Sequence, residues 1–203
     1  MKLLLATNNA HKVSELKAIL GDYFSTMSTL REAGIDFEAV EDGTTFEENA
    51  LKKAQQTLDF AGDRFDAALA DDSGLCVDAL GGAPGVYSAR FAGEQHDDAA
   101  NNSLLVRKLE DVPFARRTAQ FVCCIALVRR DRPPICVRGT VDGRILSASR
   151  GENGFGYDPY FWYEPLRKSF AELSAAEKNT VSHRHNALML LKEALDGENR
   201  RLF

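Results

Sequence analysis

AALADDSGLCVDALGGAPGVYSARFAG, residues 67–93, is the stretch on which fold and chemistry both turn. Its apolar opening, Ala67 to Ala70, breaks into Asp71-Asp72-Ser73-Gly74. A second apolar stretch follows, then a glycine-rich turn at Gly81-Gly82-Ala83-Pro84-Gly85. The pattern predicts a buried strand whose C-terminal edge delivers two adjacent carboxylates and a hydroxyl. In open α/β sheets ligands bind at that edge. Side chains alternate along a strand, so Asp71 and Asp72 point different ways, one towards the site and one holding the loop. Aspartate pairs also cap turns without any catalytic purpose. The rest of the chain decides between the two.

With 203 residues, the chain has the size of one domain or of two closely packed lobes. At 44% hydrophobic and 27% charged it builds a core, which excludes a disordered chain. The net charge of −5 supplies no basic field for nucleic acid or an anionic membrane, so an anionic ligand needs local lysines. MKLLLATNNAHK is too short an apolar run for a signal peptide or a membrane span, and the expectation is a soluble, cytoplasmic protein. Cys76, Cys123, Cys124 and Cys136 lack zinc or CxxC spacing and read as ordinary core thiols.

Upstream, residues 2–6 (KLLLA) read as a short buried strand, broken by Thr7-Asn8-Asn9-Ala10-His11. A helix follows from about Lys12, with Val13, Leu16, Ile19 and Leu20 on one face and Gly21 ending it. Strand, polar turn and helix N-terminus together make an anion site, although such turns also merely cap helices. Thr45 and Glu48 form a capping box for a helix reaching Gly62, which leaves Glu41 available as a ligand. Lys52 and Lys53 lie about 100° apart on that helix, so only one faces a cleft.

Downstream, a helix is expected from near Asp97 to Leu109, then strands at 117–130 and 135–141. Asp131-Arg132-Pro133-Pro134 between those strands suggests antiparallel pairing, hence a mixed sheet. GENGFGYDPYF (151–161) offers Phe155 and Tyr157 for stacking on a base and Asp158 as an acceptor, or else a plain turn with core aromatics. Ser182-His183-Arg184-His185 opens the final helix, and its basic first turn opposes the helix dipole, as a site for an anion or a base edge would.

Taken together, TNNAHK (7–12), FEENALKKA (46–54), DDSGL (71–75), GGAPGVYSARFAG (81–93), FGYDP (155–159) and SHR (182–184) resemble the inosine triphosphate pyrophosphatase family, also called XTP/dITP diphosphatases or Ham1-like proteins. The likeness runs through nearly the whole chain and is closest to the bacterial branch. It implies a single domain over 1–203, an α/β fold with a long mixed sheet flanked by helices, and two lobes with the site in the cleft between them. It implies Mg²⁺-dependent hydrolysis of ITP, dITP and XTP to the monophosphate and pyrophosphate by a homodimer.

By the same resemblance, Thr7, Asn8, Asn9, Ala10, His11 and Lys12 hold the triphosphate, and Lys53 rather than Lys52 is the helical phosphate lysine. Asp72 is metal ligand and general base, with Ser73 beside it and Glu41 the second metal ligand. Phe155, Gly156, Tyr157, Asp158, Lys178, His183 and Arg184 form the nucleoside pocket. Asn153 stands where many relatives have glycine, and TNN where many have TGN; both bear on substrate preference. The rival readings are a pyrophosphatase for other nucleotides, a silent nucleotide-binding module and a nucleic-acid binder. The intact FGYDP and SHR motifs oppose the first, Asp72, Lys12 and Lys53 the second, and the acidic charge the third.

Overall fold

Leu3, Leu4 and Leu5 have no exposed surface, as a strand covered on both faces requires, and they lie in β1 (Lys2–Leu5). The computed structural model describes residues 1–93 and 97–200, with the side chains of His11 and Asn199 outside the description. Helix α1 (Ala10–Leu20) returns Leu16 and Leu20 to the core, and β2 (Thr26–Thr29) pairs parallel with β1 from Lys2↔Thr26 to Leu5↔Thr29. Helix α2 (Phe46–Ala61) begins at the anticipated capping box: Thr45 Oγ1 accepts from the Glu48 amide at 3.1 Å. The Glu48 carboxylate returns to the amides of Thr44 and Thr45.

Strand β3 (Ala67–Val77) pairs parallel with β1 at Leu3↔Ala67, Leu4↔Ala68 and Leu5↔Leu69. It corrects the sequence reading, because Asp71 and Asp72 do not mark its end. The strand runs on through Ser73 and Gly74 to Val77, so the carboxylates stand mid-strand. Tertiary partners, described below, make that position tolerable.

After α3 (Asp98–Lys108), whose Asp97 cap accepts from the Ala100 amide at 2.9 Å, come β4 (Thr118–Arg129) and β5 (Ile135–Ile145). They are neighbours in the sheet, and the connection at 130–134 is too short for a parallel crossover. Strands β6 (Phe161–Tyr163) and β7 (Lys168–Ser169) add antiparallel pairs: β5 with β6, and β6 with β7. Helices α4 (Ala175–Val181) and α5 (His183–Arg200) complete the described chain. The result is a mixed seven-stranded sheet, β2-β1-β3-β4-β5-β6-β7, flanked by helices. Among the described residues no helix is long and apolar enough to cross a membrane.

The chain divides into two units. Met1–Asp72, Cys123–Gly139 and Asn186–Phe203 form the first; Ser73–Val122 and Thr140–His185 form the second. In the first, Leu3, Leu5, Leu16, Leu20, Ile125, Leu188 and Leu191 share one buried cluster. Each such side chain contributes roughly 1.5–3 kcal/mol when fully buried. In the second, Phe121, Phe161 and Phe170 form an aromatic centre, with ring centroids 4.4 Å apart for Phe121–Phe161 and 4.8 Å for Phe161–Phe170. Cys123 and Cys124 are fully buried core, as their apolar surroundings suggested, and no disulfide joins any of the four cysteines.

Candidate active site

In the first unit the turn after β1 is held by its own polar side chains. Thr7 Oγ1 accepts from the Asn9 amide (3.2 Å), and Asn8 Oδ1 accepts from the Arg31 amide (3.0 Å). Asn9 Oδ1 accepts from the Lys12 amide at 3.2 Å, which caps α1. Ala10 opens the helix on its exposed side; the side chain of His11 lies outside the described residues. Lys12, in the first turn of α1, reaches across to β3, where its Nζ donates to Asp71 Oδ2 at 2.7 Å. Asp71 is buried, and this ammonium compensates its charge.

Asp72 points elsewhere, as strand alternation requires, and its Oδ2 accepts from Asn49 Nδ2 at 3.0 Å. Asn49 is itself buried on α2, and Lys53 follows it by four residues on the same helix face. Lys53 Nζ donates to Glu41 Oε1 at 2.6 Å. Lys52, rotated away, pairs with exposed Asp42. The helical geometry therefore separates the two lysines as the sequence anticipated. Burial works against the charge of Lys53, but Glu41, with Asp71 and Asp72 also acting on it, outweighs burial and holds the ammonium above its ordinary pKa. Two ammonium groups and three carboxylates thus come together in one unit.

Asp72 and Glu41 present hard carboxylate oxygens, the donor type that Mg²⁺ takes. Among the described residues, no three His, Cys, Asp or Glu side chains gather into a set able to hold a metal alone. Mg²⁺ bound through one or two carboxylates together with substrate phosphates needs no such cage, so the donor chemistry fits it.

In the second unit, Gly154 and Gly156 adopt positive φ in the aromatic loop, and Phe155 between them is 62% exposed. At Gly154 a β-carbon would meet Asp158 Oδ2 at 2.2 Å, so only glycine fits that close approach. Asp158 is buried; it accepts from the Phe155 amide at 2.9 Å and pairs with Lys178, whose Nζ lies 4.7 Å from the Phe155 ring centroid. Tyr157 belongs to the core instead. Its ring is buried and its hydroxyl donates to the Ser88 carbonyl at 2.8 Å, so no face of it is offered for stacking. Burial raises its pKa.

His183 is also buried, stacked on Phe121 at 5.0 Å between centroids. Arg184 beside it is half-buried in the first turn of α5, and Ser73 is half-buried in β3. Asn153 donates to the Leu173 carbonyl at 3.1 Å, a loop-holding role.

Three further residues were not singled out by sequence reasoning. Asn49 is one. Asp98 and Asn102 are the others, four residues apart on α3: Asp98 Oδ2 accepts from the Gly156 amide at 2.8 Å, and Asn102 Nδ2 donates to the Gly156 carbonyl at 2.9 Å. They grip the backbone of one residue of the aromatic loop, Gly156, on both sides of its Cα. The available signal was polar residues on inward helix faces: Asn49 falls on the stripe of Phe46, Ala50 and Ala54.

The model for the Ham1 family matches residues 3–194, which span both groups of side chains. The chain belongs to the Ham1 family. Among Ham1 relatives, the dITP/XTP pyrophosphatase of Leuconostoc mesenteroides is 50% identical over 197 residues, covering 96% of each chain. That of Clostridium perfringens is 47% identical over 199 residues, covering 97% of this chain and 98% of its own. The solved Ham1 protein of Staphylococcus aureus is 42% identical with a TM-score of 0.89, covering 98% of this chain and 100% of that one.

Proposed function

We propose that this Ham1 protein is a nucleoside-triphosphate pyrophosphatase that hydrolyses the deaminated purine nucleotides ITP, dITP and XTP to the monophosphate and pyrophosphate, with Mg²⁺ as cofactor. The supporting observation is the cluster of Lys12, Lys53, Glu41, Asp71 and Asp72 in one unit. Each lysine there has a carboxylate partner over which a triphosphate, with its higher charge, competes. The names of the relatives support the substrate class.

In this reading the α1 N-terminus, capped by Asn9, turns its first amides to the triphosphate. Lys12 and Lys53 bind its oxygens and neutralise charge building on the departing pyrophosphate. Asp72 takes the proton of the water that attacks the α-phosphorus in line. Mg²⁺, held by Asp72 and Glu41, supplies electrostatic stabilisation of the phosphate oxygens when bound. By the family resemblance, Phe155, Gly156, Asp158, Lys178, His183 and Arg184 handle the base. Phe155 gives a stacking face, and donors from Lys178, His183 and Arg184 meet a 6-oxo oxygen. Adenine would turn an amino group towards those donors, a mismatch that buried polar sites reject by about 10⁴-fold or more; guanine keeps the 6-oxo oxygen, so GTP is refused at its 2-amino group. A single domain and a homodimer belong to the same reading and rest on the family resemblance; a cytoplasmic location is proposed with them.

The test is pyrophosphate release from ITP, dITP, XTP, GTP, ATP and dUTP, with Mg²⁺ and with chelator. Metal-dependent release from ITP, dITP and XTP, with ATP and GTP nearly untouched, is expected. Release from ATP and GTP at comparable rates overturns the base-site assignment, and no release from any nucleotide overturns the reaction.

A further inference from the structure

Asn49 bridges an acceptor and a donor with one buried amide. It is 3% exposed and lies in the first turns of α2. Its Nδ2 donates to Asp72 Oδ2 at 3.0 Å, while its Oδ1 accepts from the Gly43 amide at 2.8 Å. Both neighbours fix the amide's orientation, because a carboxylate only accepts and a peptide N–H only donates. Aspartate would set a second carboxylate against Asp72, and leucine would satisfy neither group. The amide is also neutral, so it orients Asp72 without cancelling its charge.

Gly43 ends the acidic turn that carries Glu41, and Lys53 ties Glu41 to the same helix face that presents Asn49. The acidic turn is therefore fastened to α2 through Glu41 on Lys53, Asp42 on Lys52 and Gly43 on Asn49, and α2 is fastened to β3 at Asp72. The contact at Gly43 is close: a β-carbon there would meet Asn49 Oδ1 at 2.7 Å and Glu48 Cβ at 2.9 Å.

We infer that Asn49 is a positioning residue for the metal: its amide fixes the Asp72 carboxylate and the Gly43 turn together, and so sets how Asp72 and Glu41 are presented to a divalent cation. This rests on the function proposed above. Groups that orient metal ligands typically cost about 10–100-fold in metal affinity or activity when removed.

The test uses Asn49→Ala, which removes both hydrogen bonds, and Gly43→Ala, whose β-carbon would press on Asn49 Oδ1 and so separates the turn from the amide while keeping the asparagine. Two quantities are measured on the full-length chain: the Mg²⁺ concentration giving half-maximal pyrophosphate release from dITP, and Mn²⁺ uptake beyond that of the nucleotide alone, followed by electron paramagnetic resonance of the free ion with the non-hydrolysable α,β-methylene analogue of dITP supplying the phosphate oxygens. Both variants are expected to raise the half-saturating Mg²⁺ and weaken Mn²⁺ binding by about tenfold or more, with kcat at saturating metal falling much less. If Asn49→Ala does not fold, Gly43→Ala carries the test alone. Unchanged metal constants, whatever the loss in thermal stability, would make Asn49 a structural link only and overturn the inference. A wild-type chain that releases pyrophosphate but takes up no Mn²⁺ overturns it too and leaves the reaction standing. A wild-type chain that releases no pyrophosphate removes the reading beneath it.

Discussion

Asp158→Asn separates a charge pair from the loop it organises. The Asp158 side chain is 3% exposed and that of its partner Lys178 is 15% exposed, so solvent screens this pair little. Removing one partner of a buried pair costs about 3–5 kcal/mol, mostly from the uncompensated charge left behind. Asparagine keeps an oxygen for the Phe155 amide, now at 2.9 Å from Asp158 Oδ2, which favours the lower end, about 3 kcal/mol. For a chain of this length that corresponds to a fall in Tm of about 6–12 °C. Adding Lys178→Met removes the stranded ammonium and is expected to recover about half of the loss. Urea unfolding followed by the fluorescence of Trp162, the chain's one tryptophan, reports on β6 beside this loop. A loss under about 1 kcal/mol for Asp158→Asn, or a double variant no more stable than the single, would refute the reasoning.

The remaining predictions concern the helix cap, the stacking face and the phosphate lysine. Thr45→Ala removes the α2 cap and lowers stability by about 1 kcal/mol in urea unfolding, with little change in kcat. Phe155→Ala leaves Tm within error, because the ring is exposed, and raises KM for dITP about tenfold, the size of a lost base–aromatic stack. Lys53, held above its ordinary pKa by Glu41, keeps its charge past the usual lysine range; its stabilising contribution is complete below the unfolded pKa of 10.5 and lost only as pH rises beyond it. The kcat/KM profile therefore shows no alkaline loss from Lys53 below the lysine range, and Lys53→Met lowers the plateau without moving that limb.

Much of the fold was legible because its signals are local. Leu3 to Leu5, the apolar spacing of α1 and the Thr45–Glu48 box each specify structure within a few residues. The run through Asp71 and Asp72 was not legible, because adjacent carboxylates read as a strand terminus. Their tolerance depends on Lys12, 59 residues away from Asp71, and on Asn49, 23 away from Asp72. Tyr157 was ambiguous for the same reason. An aromatic in a glycine-rich loop serves a ligand or a core equally well until its hydroxyl meets the Ser88 carbonyl, 69 residues distant. Lys53 and Lys52 show the converse: helix periodicity separated them from sequence, although which one meets Glu41 waited for the loop to be seen.

The central claim is attack by water on the α-phosphorus with pyrophosphate as the leaving group. Single-turnover hydrolysis of dITP in oxygen-18 water tests it directly, by mass analysis of both products. The account predicts one equivalent of pyrophosphate without label and one labelled oxygen in dIMP. Label in the pyrophosphate, or orthophosphate released with dIDP, would contradict it.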